Sequence, residues 1–257
     1  MTIYRYDKSF EGLLTAIFYA YTRRQFPDRL VGCGEPLPLF ADEVFEVVSD
    51  AAHADRVWKG LERKVKQREL LSAITFAWLS ELPEVDMLLF RYIRKLFDFK
   101  GNFSFNLGDA DVLQVHKIWR KVSQERLRVC QFLRFQKTAD GIYFATLAPL
   151  YNVLPLTLPH LTDRFADQSW LLYDLKREYG YYYNGKEAEE VRFADRPEHL
   201  RTGRLDASQM DADETAFQQL WQTYFQATAI RERLNPRLHR QNMPARFWPY
   251  LTEKYGK

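Results

Sequence analysis

Lys137-Thr138-Ala139-Asp140-Gly141-Ile142-Tyr143-Phe144-Ala145-Thr146-Leu147 is where the pattern of this chain changes. Upstream, apolar residues recur every three or four positions. Here Ile142, Phe144 and Thr146 alternate with Tyr143, Ala145 and Leu147. A period of two is the strand signature, and Asp-Gly between two short runs is a hairpin turn. Phe132, Leu133 and Phe135 supply the first run. Pro155 and Pro159 then bracket the start of a helix through Leu161 and Phe165, and residues 170–175 read as a strand. Residues 179–183, Asn184-Gly185 and residues 186–193 make a second hairpin around an Asn-Gly turn. The order hairpin, helix, hairpin predicts a small antiparallel sheet with a helix on one face.

Towards the amino end, residues 3–6 read as a short aromatic-rich strand. A helix follows from about Ser9, with Phe10, Leu13, Leu14, Ile17, Phe18 and Tyr21 on one stripe, and Pro27 ends it. Residues 32–40 carry breakers throughout and read as a loop. Residues 44–48 suggest a second strand, and Ser49 or Asp50 caps the next helix. Pro83 opens a helix lined by Val85, Leu88, Leu89, Tyr92, Ile93, Leu96 and Phe97, and Asp109 or Asp111 starts another. Towards the carboxyl end, residues 194–210 read as polar loop. Asp211, Asp213 and Glu214 mark a helix start, where carboxylates suit the dipole. Phe217, Leu220, Trp221, Tyr224 and Phe225 predict an inward stripe, with Arg231 and Arg233 at the far end and Pro236 as the stop. The expectation is one α+β domain over 1–257. Its sub-regions are a mainly helical 1–130 packed with the sheet unit, the sheet unit itself at 131–195, and a C-terminal helix plus basic tail at 196–257.

Bulk composition bounds the function. A chain of 257 residues with 46% hydrophobic and 28% charged residues can bury a sizeable core. Its net charge of +3 excludes a histone-like polycation and permits basic patches. Cys33 and Cys130 are far apart and form no CxxC pair, which favours a reducing compartment. No apolar run reaches the roughly 18 residues of a membrane span. The start Thr2-Ile3-Tyr4-Arg5-Tyr6-Asp7 lacks a signal-peptide layout, so a cytoplasmic protein without membrane partners is expected.

Five arginines and a histidine crowd the stretch from residue 231 to residue 250: Arg231, Arg233, Arg237, His239, Arg240 and Arg246, against one acid, Glu232. Phe247, Trp248 and Tyr250 follow. Guanidinium forks grip phosphate oxygens in pairs and flat rings accept unstacked bases, so this tail is the candidate nucleic-acid contact. The competing reading is a C-terminal strap whose aromatics anchor in the core. Two further basic runs, around residues 59–68 and 117–128, are interrupted by acids and read as solvated helix faces.

Candidate catalytic groups are fewer. His160, Asp163 and Arg164 cluster on the helix of the sheet unit, Asp174 ends an apolar strand, and Arg134 interrupts an aromatic run. A charge among buried residues needs a partner, so a structural pair of Arg134 or Arg164 with Asp174 competes with acid–base work. The five histidines show no zinc-ligand spacing, and there is no GxSxG, Walker or GxGxxG motif, so no metal or cofactor is expected.

Several dispersed segments carry a resemblance. Tyr4-Arg5-Tyr6-Asp7 with Ser9-Phe10-Glu11-Gly12-Leu13-Leu14-Thr15-Ala16, then Phe132-Leu133-Arg134-Phe135 and Trp170-Leu171-Leu172-Tyr173-Asp174, are of this kind. So are Glu232-Arg233-Leu234-Asn235-Pro236-Arg237-Leu238 and Met243-Pro244-Ala245-Arg246-Phe247-Trp248. Together they resemble an uncharacterised bacterial family labelled "probable DNA metabolism protein". The resemblance implies a gene encoded beside a radical-SAM protein of DNA modification or repair, with some members fused to a uracil-DNA-glycosylase-like domain. A chain of this length is expected to carry no such extra domain. The family supplies no catalytic residues to transfer. Three functions follow as alternatives: a DNA-binding accessory factor working with a radical-SAM protein, an enzyme acting on a modified base or nucleotide, and a protein–protein adaptor.

Overall fold

The computed structural model describes residues 1–65, 67–99, 106–195, 197–228, 230, 233 and 235–254. The chain divides into two compact units, Met1–Ser123 and Gln124–Lys257. Mixed helix and small sheets make it an α+β protein, as the patterning predicts.

In the first unit, β1 (Thr2–Tyr6) is the centre of a three-stranded sheet among the described residues. Ile3, Tyr4 and Tyr6 are fully buried. The strand leads into α1 (Phe10–Arg23), which starts where the Ser9 hydroxyl accepts from the Gly12 N–H at 2.8 Å. It ends on Arg24 in the left-handed region at φ 55°. β2 (Arg29–Gly32) returns parallel to β1, with Ile3 opposite Arg29 and Tyr6 opposite Gly32. β3 (Glu43–Glu46) lies parallel on the other side. Asp50 caps α2 (Ala51–Lys64) by accepting from the His53 N–H at 2.8 Å. α3 (Arg68–Trp78) and α4 (Val85–Asp98) follow. Lys95 pairs with Asp109 and Asp111 at the start of α5 (Ala110–Phe132), each at 2.7 Å. The boundary between the units falls inside α5.

In the second unit, β4 (Gln136–Lys137) and β5 (Tyr143–Leu147) form a hairpin about the expected Asp-Gly turn, with Gly141 at φ 83°. Its first strand is corrected: Phe132 ends α5, Leu133 and Phe135 are outside any strand, and the pairing begins at Gln136. α6 (Leu154–Arg164) crosses over to β6 (Trp170–Asp174). β7 (Tyr179–Tyr183) and β8 (Ala188–Val191) complete the order β4-β5-β6-β7-β8. The expectation of an antiparallel sheet is corrected at one place. β5 and β6 pair in parallel, Tyr143 opposite Trp170 and Leu147 opposite Asp174. A helix between two strands returns the chain to its starting edge, so the second strand runs in the direction of the first. The other pairings are antiparallel. Gly180 opposes Tyr173, where a Cβ would stand 2.3 Å from the Leu172 carbonyl oxygen. Trp170 and Leu172 are fully buried, and Phe144 and Tyr173 pack with Leu200 and Leu205.

The stretch 194–210, expected as loop, contains α7 (Glu198–Thr202) and a short 3-10 turn at Ala207–Gln209. α8 (Glu214–Ala227) starts as expected, but its apolar stripe is not inward. Phe217, Leu220 and Tyr224 are 60% or more exposed and Trp221 is 39% exposed. α8 also ends at Ala227, before the arginines, and Pro236 opens a helix rather than stopping one: α9 (Pro236–Asn242). Two 3-10 turns, Ala245–Tyr250 and Thr252–Lys254, bring Phe247 and Leu251 into the core, as the strap reading expects. Among the described residues no helix is long and apolar enough to cross a membrane.

Candidate functional site

The basic tail is organised by α9. The Asn235 side chain accepts from the Leu238 N–H at 3.0 Å, Pro236 occupies the first helical position, and the short helix presents Arg237 and Arg240 to solvent. Arg233 precedes it and is also exposed. None of these three arginines is ion-paired among the described residues. Arg231 lies outside the described residues.

Arg233 lines a cavity of about 1060 Å³ in the second unit. Phe132 from α5 and Phe225 from α8 line it, as do Leu238 and Met243. Its polar lining is Arg233, His239, Lys254 and Thr228 with the amides of Gln131, Gln226, Asn235 and Asn242, and no described lining residue is acidic. The Lys254 ammonium sits 5.1 Å from the ring centres of both Phe225 and Trp248. Burial holds the His239 imidazole below the ordinary histidine range, and the Lys254 charge pushes the same way. At neutral pH this ring is therefore a neutral hydrogen-bonding group rather than a cation. Its Nε2 is buried with no partner among the described residues. A concave surface with cations, amides and aromatic walls can hold a phosphate and a planar base together.

The other two members of the tail set are engaged internally. Arg246 forms a close ion pair with Glu125, whose side chain is 1% exposed and which also accepts from the Leu150 N–H at 2.9 Å. Trp248 is half-buried, donates from Nε1 to the Met243 carbonyl at 3.0 Å, and lies 5.8 Å from the His239 ring.

Of the candidate catalytic residues, Arg134, His160 and Arg164 line one small cavity, and Asp163 and Asp174 lie outside it. Arg134 pairs with the buried Glu253 at 2.9 Å and also donates to the carbonyls of Gln131 and Leu133. Burial opposes ionisation of Glu253, yet hydrogen bonds from its own N–H, from Arg134 and from Trp221 outweigh it and hold the carboxyl below its usual range. Asp174 is fully buried and takes a different cation: Arg177 Nη1 at 2.8 Å, together with the N–H groups of Lys176 and Arg177. The expected pair of Arg134 or Arg164 with Asp174 is therefore corrected on both sides. A cation three residues along the same turn reaches this carboxylate first. His160 and Arg164, both exposed on α6, line a cavity of about 180 Å³ with Arg134 and Cys130. Asp163 and Asp174 are not part of its lining. Burial raises the pKa of the Cys130 thiol, Arg126 opposing, so it is a poor nucleophile at neutral pH. Among the described residues no group of three His, Cys, Asp or Glu side chains is placed to hold a metal ion.

Among known families, the model for a domain of unknown function, DUF4130, matches residues 83–253. The chain belongs to the DUF4130 family. No curated protein and no solved structure matches it. The DUF4130 match takes in α4 through the Thr252–Lys254 turn except Lys254 itself, and so nearly all of the lining of the large cavity. Residues 1–82, with the parallel sheet, lie outside it.

Sequence reasoning singled out Arg233, His239 and the exposed Arg237 and Arg240. It missed the cavity walls Phe132 and Phe225, the amides of Asn235 and Asn242, and Lys254. One signal was available: Asn235-Pro236 is a helix-start pair, and it places a fresh helix inside the tail.

Proposed function

We propose that this protein is a nucleic-acid-binding accessory factor in DNA repair or modification, working beside a radical-SAM protein. One observation carries the binding part. Arg233 lines a roomy cavity whose described lining holds cations, amides and aromatic rings and no carboxylate, and the exposed Arg237 and Arg240, with no ion pair among the described residues, stand on the helix that forms part of its wall. Phosphate contacts dominate nucleic-acid affinity, and clustered guanidinium groups are their usual source. The radical-SAM partner, and a second partner of uracil-DNA-glycosylase type, come from the family resemblance.

Charge reversal tests this reading. Arg237→Glu and Arg240→Glu are on an exposed helix face and should leave folding intact. They are expected to weaken DNA binding at low salt, measured by fluorescence anisotropy, and to leave co-purification with the radical-SAM protein unchanged. Loss of partner capture with DNA affinity intact would instead make this face an adaptor surface.

A second reading, an enzyme acting on a modified base, has one observation in its favour. His160 and Arg164 share the small cavity with Arg134. His160→Ala tests it: turnover of a modified nucleotide should vanish with the fold unchanged.

A further inference from the structure

We propose that α8 is a stacking platform for a single strand of DNA. The proposal deepens the reading above and rests on it for the choice of DNA as the polyanion. After Glu214 the helix carries no charged residue. Phe217, Trp221, Tyr224 and Thr228 succeed one another at four, three and four residues, which sets them on one stripe of a 3.6-residue helix. That spacing normally faces a core. Here the three rings face solvent at 65%, 39% and 60% exposure. Trp221 and Tyr224 have ring centres 5.7 Å apart with 30° between their planes. Trp221 is fixed in place, because its Nε1 donates to Glu253 at 3.1 Å and the Arg134 guanidinium lies 5.5 Å from its ring. Exposed rings held at defined positions suit unstacked bases, each of which offers a π face, whereas a duplex keeps those faces covered.

Charge complementarity selects the occupant. The stripe ends on Thr228, which lines the large cavity beside Arg233 and Lys254. The exposed Arg237 and Arg240 of α9 are close to that end in the chain. Asp211 and Asp213 sit at the opposite, amino end of α8. Phe217 and Trp221 border a cavity that holds Asp211, which Lys137 neutralises at 3.0 Å, with Asp213 and Glu214. A strand stacked along the helix therefore gains its phosphate contacts at the carboxyl end, where the cations are. A protein partner is the competing occupant of the same rings.

The test uses the full chain and two labelled probes: an oligodeoxythymidylate of about 12 nucleotides, within the usual site sizes for such surfaces, and a duplex of equal length. The wild type is expected to bind the single strand more tightly. Phe217→Ala and Tyr224→Ala are each expected to weaken single-strand binding by about tenfold while duplex affinity stays as it was. Both side chains are largely exposed, so circular dichroism should report an unchanged fold. If both variants bind the single strand like wild type while Arg237→Ala weakens it, the platform is overturned and the polyanion reading survives. If wild type binds neither probe at low salt, both fail. If Tyr224→Ala loses capture of the radical-SAM protein but keeps its DNA affinity, α8 is a protein-docking face and the proposal is overturned.

Discussion

Replacing Arg246 by alanine separates a half-buried arginine, paired with a buried carboxylate, from the exposed arginines that accompany it in sequence. Glu125, with a side chain 1% exposed, accepts from Arg246, accepts from the Leu150 N–H at 2.9 Å, and has Arg128 at 3.9 Å. Removing one partner of a buried ion pair costs about 3–5 kcal/mol, because the other charge is left unpaired in a poorly solvated place. Two features reduce that figure here. Arg246 is itself 30% exposed, and Arg128 is near enough to take over part of the interaction. A loss of about 2–3 kcal/mol is therefore expected, equivalent to a fall in melting temperature of very roughly 10 °C for a unit of this size. Urea and thermal unfolding followed by tryptophan fluorescence would measure it, with the transition of the second unit as the readout. Arg246→Met with Glu125→Leu removes both charges, and should recover most of the loss. The folded fraction of Arg246→Ala should bind DNA like wild type. A stability change below about 0.5 kcal/mol, typical of an exposed surface site, together with weakened DNA binding would refute the assignment of Arg246 to the buried Glu125 pair.

Other outcomes follow from the same structure. Asp174→Asn should destabilise the second unit by about 2–4 kcal/mol, since Arg177 would lose its carboxylate inside the fold, and it should leave DNA affinity untouched. Gly180→Ala should cost more than an ordinary strand substitution, because the new Cβ would stand 2.3 Å from the Leu172 carbonyl; chemical denaturation would show the loss. His239 should titrate below its ordinary value in NMR, because burial disfavours its charged form. Its folded pKa lies under its unfolded one, so the unfolded chain binds more protons between the two. Its contribution to stability is present above about pH 6.5 and declines as pH falls from there through the folded pKa. Binding of an anionic ligand in the cavity should raise its midpoint.

Where the chain signalled an element by its own local chemistry, sequence and structure agree. Ser9 and Asp50 cap their helices with side-chain hydrogen bonds, and the Asp140-Gly141 and Asn184-Gly185 turns sit where their dipeptides place them. β2 escaped notice because four residues between Asp28 and Cys33 are too few to establish a period. The parallel pairing of β5 with β6 depends on the path of α6, which turn chemistry does not encode. The stripe of α8 was legible, but periodicity reports which residues share a face and is silent on whether anything covers it. Ion-pair partners were the least legible of all. Arg134 finds Glu253 119 residues away, and Arg246 finds Glu125 121 residues away. A tail that reads as one basic block thus divides into a half-buried member paired with a buried carboxylate, Arg246, and the exposed Arg233, Arg237 and Arg240.

The salt dependence of DNA binding tests that division most directly. Anisotropy titrations across a range of potassium chloride concentrations would compare wild type with a variant carrying Arg233→Ala, Arg237→Ala and Arg240→Ala. With about 0.7 units of log–log slope per phosphate contact on a single strand, the three substitutions should flatten the slope by about 2. An identical slope in the two proteins would contradict the account, because the exposed arginines would then hold no phosphate.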